Sequence, residues 1–531
     1  MNLTTEYKAT VCAESYLGLK GYTIPKSALT VQDIAFLKKD LFLKPQTPGP
    51  SFGPAADDAF PVYRENDKKM YIPRFYGIER YGQPPRSEIA PGMDIDVQFP
   101  RELRDYQNNI VDIYIQGTDG SLVRTLPPKP FGGILEIYCG AGKTVLALKI
   151  VSLLKKKTLI LVHKEFLMNQ WIERIAEFLP GARVGKIQAS VCDIDNKDIV
   201  IGMIQTMYNK VFPQEVYSQF GLTIIDEVHR IGSEEFSKTL LKTITPYMLG
   251  ISATVERKDK LTRLLYMFIG PKIHSMLRKQ EDTVNVRGIE FVTENEEFNQ
   301  VEYDFRGQPK YSTMISKLCA FKPRSDFIVQ TIRDLIQESP ESQIMVLAHN
   351  RSLLTYLFEC LNEVNKEGNE YLSVEGRSAR GNHGFPVGFY VGGMKQKDLD
   401  ITETKQVVLA TYAMAAEALD IKTLSTLVMA TPKTDITQSV GRILRMKHAN
   451  PRIVDIIDTH STFQNQWKLR KRFYKKANYK IVTTTSTKYK DMEDSDVWFT
   501  AFDPKNAKES DLKEKEDDEL GGKCCIDMSG L

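Results

Sequence analysis

Residues 136–149 read EIYCGAGKTVLALK. An apolar run containing Ile134, Leu135 and Ile137 meets a Gly-Ala-Gly turn, then Lys143-Thr144, then an apolar pattern at helical spacing. That order predicts strand, phosphate loop, helix. Gly140 and Gly142 carry no side chain, so the backbone N–H groups of Cys139, Gly140, Ala141 and Gly142 can close around phosphate oxygens. The helix that follows aims its positive N-terminus at the same point. Lys143 is placed to reach the β- and γ-phosphates of a nucleotide, and Thr144 to hold Mg²⁺. Ile137 stands where the full GxxxxGK[ST] pattern has its first glycine, so the stretch alone also fits a glycine turn before an ordinary helix.

Outward from this loop, the chain has the length of two or three domains, with 531 residues, 42% apolar and 26% charged. Its net charge of +3 announces no global basic field, so any nucleic-acid surface must be a local groove. Seven cysteines are scattered without a CxxC pair, which fits a reducing compartment and argues against structural zinc. The N-terminus MNLTTEYKAT lacks a signal-peptide core and no apolar run approaches a membrane span. These features predict a soluble intracellular protein without a membrane partner.

Around the loop, apolar runs alternate with amphipathic stretches. Strands are expected at 134–139, 158–163, 198–204, 222–226 and 248–253, and a helix at Glu165–Phe178 carries Phe166, Leu167, Trp171, Ile175 and Phe178. Runs that are apolar throughout are covered on both faces, and the alternation implies a parallel sheet. A second series follows, with strands expected at 343–348, 387–391, 406–410, 426–430 and 452–457 and helices at 325–336, 352–364 and 436–444. The fold class expected is α/β, two tandem parallel-sheet lobes at 99–270 and 322–480. A polar connector or insertion is expected at 271–321, an accessory module at 1–98, and a C-terminal extension at 481–531 whose tail is expected to be disordered.

In the N-terminal module, Tyr63-Arg64, Tyr71–Gly77 and Tyr81 mix aromatics with arginines. This fits an irregular, half-buried module, or a surface for nucleic acid or protein. The basic stretch Trp467–Lys480 likewise fits a solvated helix face or a strand-tracking contact.

The strand predicted at 222–226 ends in Asp226-Glu227-Val228-His229. Adjacent carboxylates at a strand end that faces a phosphate loop take separate roles. Asp226 would hold Mg²⁺ and Glu227 would polarise the attacking water. Without the loop upstream, the pair could be an ordinary acidic strand end.

GAGKT, DEVH, Ser252-Ala253-Thr254 and Gln438-Ser-Val-Gly-Arg442-Ile-Leu-Arg445 occur in that order. This series resembles the superfamily 2 helicases of the DExH type, over roughly Leu103 to Asp458. The resemblance implies two RecA-like lobes, ATP and Mg²⁺ as cofactors, and ATP hydrolysis by Lys143, Asp226 and Glu227. It implies that Gln107 reads the base with Arg104 nearby, and that Asp420 touches the ribose. Ser252, Thr254, His229 and Gln438 would couple the nucleotide to the nucleic acid. Thr206 and Thr411 would contact the nucleic-acid backbone, though both also fit strand-end threonines. Ala418 replaces the glycine usual in the Asp420 motif. Arg442 and Arg445, three apart on a helix, resemble arginine fingers for the γ-phosphate.

Tyr138–Thr144 and Phe321–Ile328 look most like the XPB-type translocases. GYTIPKS at 21–27 and YIPRFYGIERYG at 71–82 look closer to the poxviral transcript-release helicase and its relatives in large cytoplasmic DNA viruses. That resemblance implies a DNA-dependent ATPase with 3′-to-5′ action in viral transcription, in the host cytoplasm and the virion, with the transcription machinery as partner. An RNA-directed engine and a non-hydrolysing nucleic-acid-binding scaffold remain the alternatives. Oligomeric state is left open.

Overall fold

The computed structural model describes residues 3–44, 59–116, 131–138, 140–228, 233–256, 261–276, 284–305, 307–366, 387–417, 421–434, 436–443, 448, 450–489 and 497–505. The chain divides into two compact units, Met1–Arg278 and Lys279–Leu531.

The first unit is built on an eight-stranded sheet. Its order is Val191–Cys192, Val184–Gln188, Ile199–Met203, Thr158–Val162, Leu222–Asp226, Tyr247–Ser252, Gly132–Ile137 and Lys272–Met276. Every neighbouring pair is parallel except the terminal hairpin of Val184–Gln188 with Val191–Cys192. Side chains alternate across the sheet. Ile134 therefore enters one apolar core, while Leu135 and Ile137 enter the other with Leu146, Ile150 and Trp171. Both faces are covered, which explains why these strands read as unbroken apolar runs.

The N-terminal module is more regular than the sequence suggested. A five-stranded sheet runs in the order Arg64–Glu65, Lys69–Ile72, Gly21–Pro25, Tyr16–Gly18, Arg86–Ser87. Helix Arg74–Tyr81 packs on it through Gly77, where an added Cβ would lie 2.2 Å from Tyr22 Cγ. Several of the arginines and aromatics that could have faced nucleic acid are buried instead. Arg74 is 4% exposed, and its Nη1 donates to the Thr245 and Pro246 carbonyls at 3.0 and 2.9 Å. Tyr76 and Tyr81 are buried and donate to Asp40 and Asp33. Arg263 forms a two-pronged pair with Asp40. Module and sheet share one apolar core, so this part of the chain is an extension of the first unit.

The second unit carries another eight-stranded sheet. Its order is Val387–Tyr390, Val407–Thr411, Gln343–Ala348, Leu424–Met429, Arg452–Asp458, Asn285–Phe291, Lys480–Thr485 and Phe499–Phe502. Only the last pair is antiparallel. Two fully buried ion pairs brace it, Arg324 with Asp458 and Arg470 with Asp455.

Strand pairing corrects two expected boundaries. The segment expected as a connector, 271–321, supplies Lys272–Met276 to the first sheet and Asn285–Phe291 to the middle of the second. Part of the expected C-terminal extension completes the second sheet through Lys480–Thr485 and Phe499–Phe502. The expected disordered tail, from 506 on, lies outside the described residues.

The basic helix spans Ser461–Lys476, and Lys480 begins a strand rather than closing the helix. Arg470 and Tyr474 are buried against Asp455, whereas Lys468, Arg472 and Lys476 are exposed at i, i+4, i+8 spacing. Among the described residues no helix is long and apolar enough to cross a membrane.

Candidate nucleotide site

The phosphate loop leaves strand Gly132–Ile137 and enters helix Lys143–Leu154. Gly140 and Gly142 sit at φ 92° and 86°, a region that side chains rarely adopt. Gly142 has a second constraint, because an added Cβ would lie 2.5 Å from Gln107 Nε2. Gln107 is buried in helix Asp105–Gln116 and donates to the Ala141 carbonyl at 3.0 Å, while its Oε1 accepts from the Arg104 N–H at 3.1 Å. Tyr106 donates to the same carbonyl at 3.2 Å. The segment expected to read a base is thus also the brace of the phosphate loop. Arg104 is exposed beside it and reaches Tyr106 Oη.

The acidic pair sits where the strand order predicts, at the end of Leu222–Asp226. Lys143 Nζ lies 3.0 Å from Glu227 Oε1, so the loop lysine and the expected water-activating acid meet directly. Glu227 has φ 49°, an uncommon conformation for a residue with a Cβ and a strain that often marks functional positions. Asp226 is buried. Its Oδ1 accepts from the Glu227 N–H at 2.9 Å, and its Oδ2 from Trp171 Nε1 at 3.0 Å. Burial, then the neighbouring Glu227 charge, pushes its carboxyl up from 3.8 to about 6, against the pull of Lys143 and Trp171.

The residues fit ATP with a divalent cation. Two positive-φ glycines open the loop's backbone, and Gln107 excludes a side chain at Gly142. Thr144 opens the helix beside Lys143. Its hydroxyl and the Asp226 carboxylate are the hard oxygen donors that would hold Mg²⁺. The ion would supply charge neutralisation on the phosphates.

Because the folded value of Asp226 lies above its ordinary one, its negative charge costs stability. That cost is absent below pH 3.8 and fully present above about pH 6. A bound cation offsets it only where Asp226 is charged. The thermal shift given by Mg²⁺ with a non-hydrolysable nucleotide should therefore be larger at about pH 7.5 than at about pH 5.5, measured by differential scanning fluorimetry.

Trp171 was legible in sequence only as an apolar position on an amphipathic helix. Its indole N–H is a partner of Asp226, the acid expected to hold the cation. Partners that orient a metal-ligating carboxylate are worth about 10–100-fold in metal affinity, so Trp171→Phe should raise the Mg²⁺ concentration for half-maximal turnover by about tenfold or more.

The remaining expected residues fall as follows. Ser252 ends strand Tyr247–Ser252, and its Oγ donates to the Thr254 carbonyl at 2.5 Å. Thr206 lies in the short helix Ile204–Asn209, where its Oγ1 accepts from the Ala189 N–H at 3.0 Å. Thr411 ends strand Val407–Thr411 and is half-buried. Gln438 and Arg442 fall on helix Thr437–Ile443 of the second unit. Cys139, His229, Asp420 and Arg445 lie outside the described residues.

A parallel sheet with a GKT loop, a DEVH strand end and a SAT turn defines an ATP-binding unit of the helicase class. Residues 101–257 match the family model described as "Type III restriction enzyme, res subunit". A protein of Acanthamoeba polyphaga mimivirus, named "Putative ATP-dependent RNA helicase L396", is 32% identical over 473 residues, covering 87% of this chain and 85% of the viral protein. "Putative ATP-dependent RNA helicase QP509L" of African swine fever virus is 26% identical, covering 78% of this chain and 79% of that one. Over a shorter span, "DNA 3'-5' translocase XPB2" of Sulfurisphaera tokodaii is 32% identical, covering 38% and 43%. The chain belongs to the superfamily 2 helicases, in the branch of ATP-dependent helicases carried by large DNA viruses.

Proposed function

We propose that this chain is a DNA-dependent ATPase that moves 3′-to-5′ along a nucleic-acid strand in viral transcription, at the step of transcript release. The observation that carries the enzymatic part is the Lys143–Glu227–Asp226 constellation. An acid held at φ 49° beside a phosphate-loop lysine, next to a second acid buried against an indole, suits water activation and cation binding as separate tasks. A scaffold that never hydrolysed ATP would have no use for Glu227 in that conformation.

In this reading ATP is held by residues 139–144 and Gln107, with Asp420 at the ribose. Lys143 orients the phosphates, and Thr144 and Asp226 hold Mg²⁺. Glu227 positions the water, and Arg442 and Arg445 supply charge to the transition state. Ser252, Thr254, His229 and Gln438 relay nucleotide state to the nucleic acid, which Thr206 and Thr411 contact. Alternating nucleotide states would then change the grip on the strand, which is the motor step.

Support for DNA and for polarity comes from similarity to the archaeal protein named as a DNA 3′-5′ translocase. Against it stands the naming of the mimiviral and swine-fever relatives as RNA helicases, which favours RNA as the second reading. The viral relatives support a role in an infected cell, for which the host cytoplasm and the virion are the compartments proposed. The transcription machinery is the partner this role requires.

A strand-displacement assay separates the readings. Partial duplexes of DNA, RNA and hybrid, each with a 3′ or a 5′ overhang, are offered with ATP. The proposal expects displacement or translocation on 3′-tailed DNA. Action confined to RNA overturns the DNA assignment, and action only on 5′-tailed substrates overturns the polarity.

A further inference from the structure

One acid in the first unit stands outside every motif. Glu136 lies in the phosphate-loop strand, whose other residues are apolar or glycine. By alternation it shares a face with Ile134, and it is 9% exposed. A carboxylate in such a place is costly unless fully hydrogen-bonded. Here three donors from two other segments meet it. Oε1 accepts from the Val255 N–H at 2.9 Å, immediately after the SAT turn. Oε2 accepts from Ser275 Oγ at 2.7 Å and Lys272 Nζ at 3.0 Å. Burial alone would raise its pKa, but those bonds outweigh burial and hold it below the ordinary carboxylate value. The register agrees, because Ser252, Glu136 and Ser275 lie side by side across three parallel strands.

We propose that Glu136 is a positioning residue that ties the SAT turn and the Lys272–Met276 strand to the phosphate-loop strand, so that nucleotide state reaches the SAT turn as one movement. The inference rests on the nucleic-acid-stimulated ATPase reading above. Its two oxygens are divided between two clients. Oε1 holds the segment assigned to coupling, and Oε2 holds the last strand of the first unit. An apolar residue would fill the position without joining either. Glutamine keeps the volume but has one acceptor oxygen, so it can serve one client and must turn an N–H₂ toward the other.

The test uses the full chain and Glu136→Gln, with Lys272→Met as a variant that removes only one donor from the edge strand. Two quantities are read: turnover with and without nucleic acid, and hydrogen exchange of residues 252–256 with and without a non-hydrolysable ATP analogue. Expected for Glu136→Gln is nucleotide affinity and basal turnover close to the wild type, with stimulation by nucleic acid reduced about tenfold, within the 5–150-fold span of ordinary site-to-site coupling. Nucleotide should protect residues 252–256 in the wild type and fail to do so in the variant. Lys272→Met should show a smaller loss in the same direction.

Unchanged stimulation and unchanged protection would overturn the proposal. So would an equal fall in basal and stimulated turnover with a lowered melting temperature, which would mark Glu136 as purely structural. A wild type that nucleic acid does not stimulate would defeat the ATPase reading instead, and the exchange measurement would still decide the tie.

Discussion

Glu227→Gln should lower ATP turnover by about 10²–10⁴-fold, the range typical of general acid–base catalysis, while ATP binding is kept. Glutamine is nearly isosteric and can occupy the same φ 49° position, so the loop and strand end should keep their shape. What changes is charge. The attacking water loses its proton acceptor, and Lys143 loses the carboxylate that sits 3.0 Å from it. The lysine then meets phosphate without first leaving an ion pair. Nucleotide affinity, measured by titration with a fluorescent ATP analogue, should be equal or tighter in the variant. Loss of binding would show that Glu227 organises the loop rather than the water.

Arg442→Ala should reduce nucleic-acid-stimulated turnover by about 10³–10⁵-fold, the range seen for arginine fingers in other phosphoryl-transfer enzymes, with nucleotide affinity little changed. The loop, its glutamine brace and the acidic pair all belong to the first unit, so that unit should hold ATP by itself. In the proposed reading Arg442 acts only where charge builds up on the transferred phosphoryl group, so ground-state binding should not depend on it. Arg442→Lys should recover little, because an ammonium lacks the planar fork that a guanidinium offers to phosphate oxygens. If Arg442→Ala raised the KM for ATP and left kcat intact, the residue would be a ground-state contact.

How far the fold could be read from sequence follows from burial. Leu222–Asp226, Glu165–Phe178 and Gln343–Ala348 have the predicted limits because each is covered well enough to show an unbroken apolar run or a clear helical stripe. Lys272–Met276 reads as connector in sequence because it lies at a sheet edge and none of its residues is buried. Asn285–Phe291 mixes Arg287 and Glu290 into its alternation, and both its partners lie far along the chain. In the N-terminal module, arginines beside aromatics suggested a surface. Arg74 is buried because two backbone carbonyls of a distant loop accept from it, a pairing that local sequence does not carry.

The candidate site shows the same division. Lys143, Asp226 and Glu227 were legible because their chemistry demands fixed spacing within short motifs. Trp171 and Glu136 were not, since each acts on a partner brought near only by the sheet. A signal did exist for Glu136: a lone acid in an otherwise apolar strand must find donors somewhere.

In the proposed function, nucleic acid controls ATP hydrolysis by this chain. The most direct test is steady-state turnover of the full chain at saturating Mg²⁺·ATP, alone and with single-stranded DNA, duplex DNA and RNA in parallel. Turnover should be slow without nucleic acid and rise clearly with DNA, and Glu227→Gln should abolish it. Equal turnover under all four conditions would contradict it.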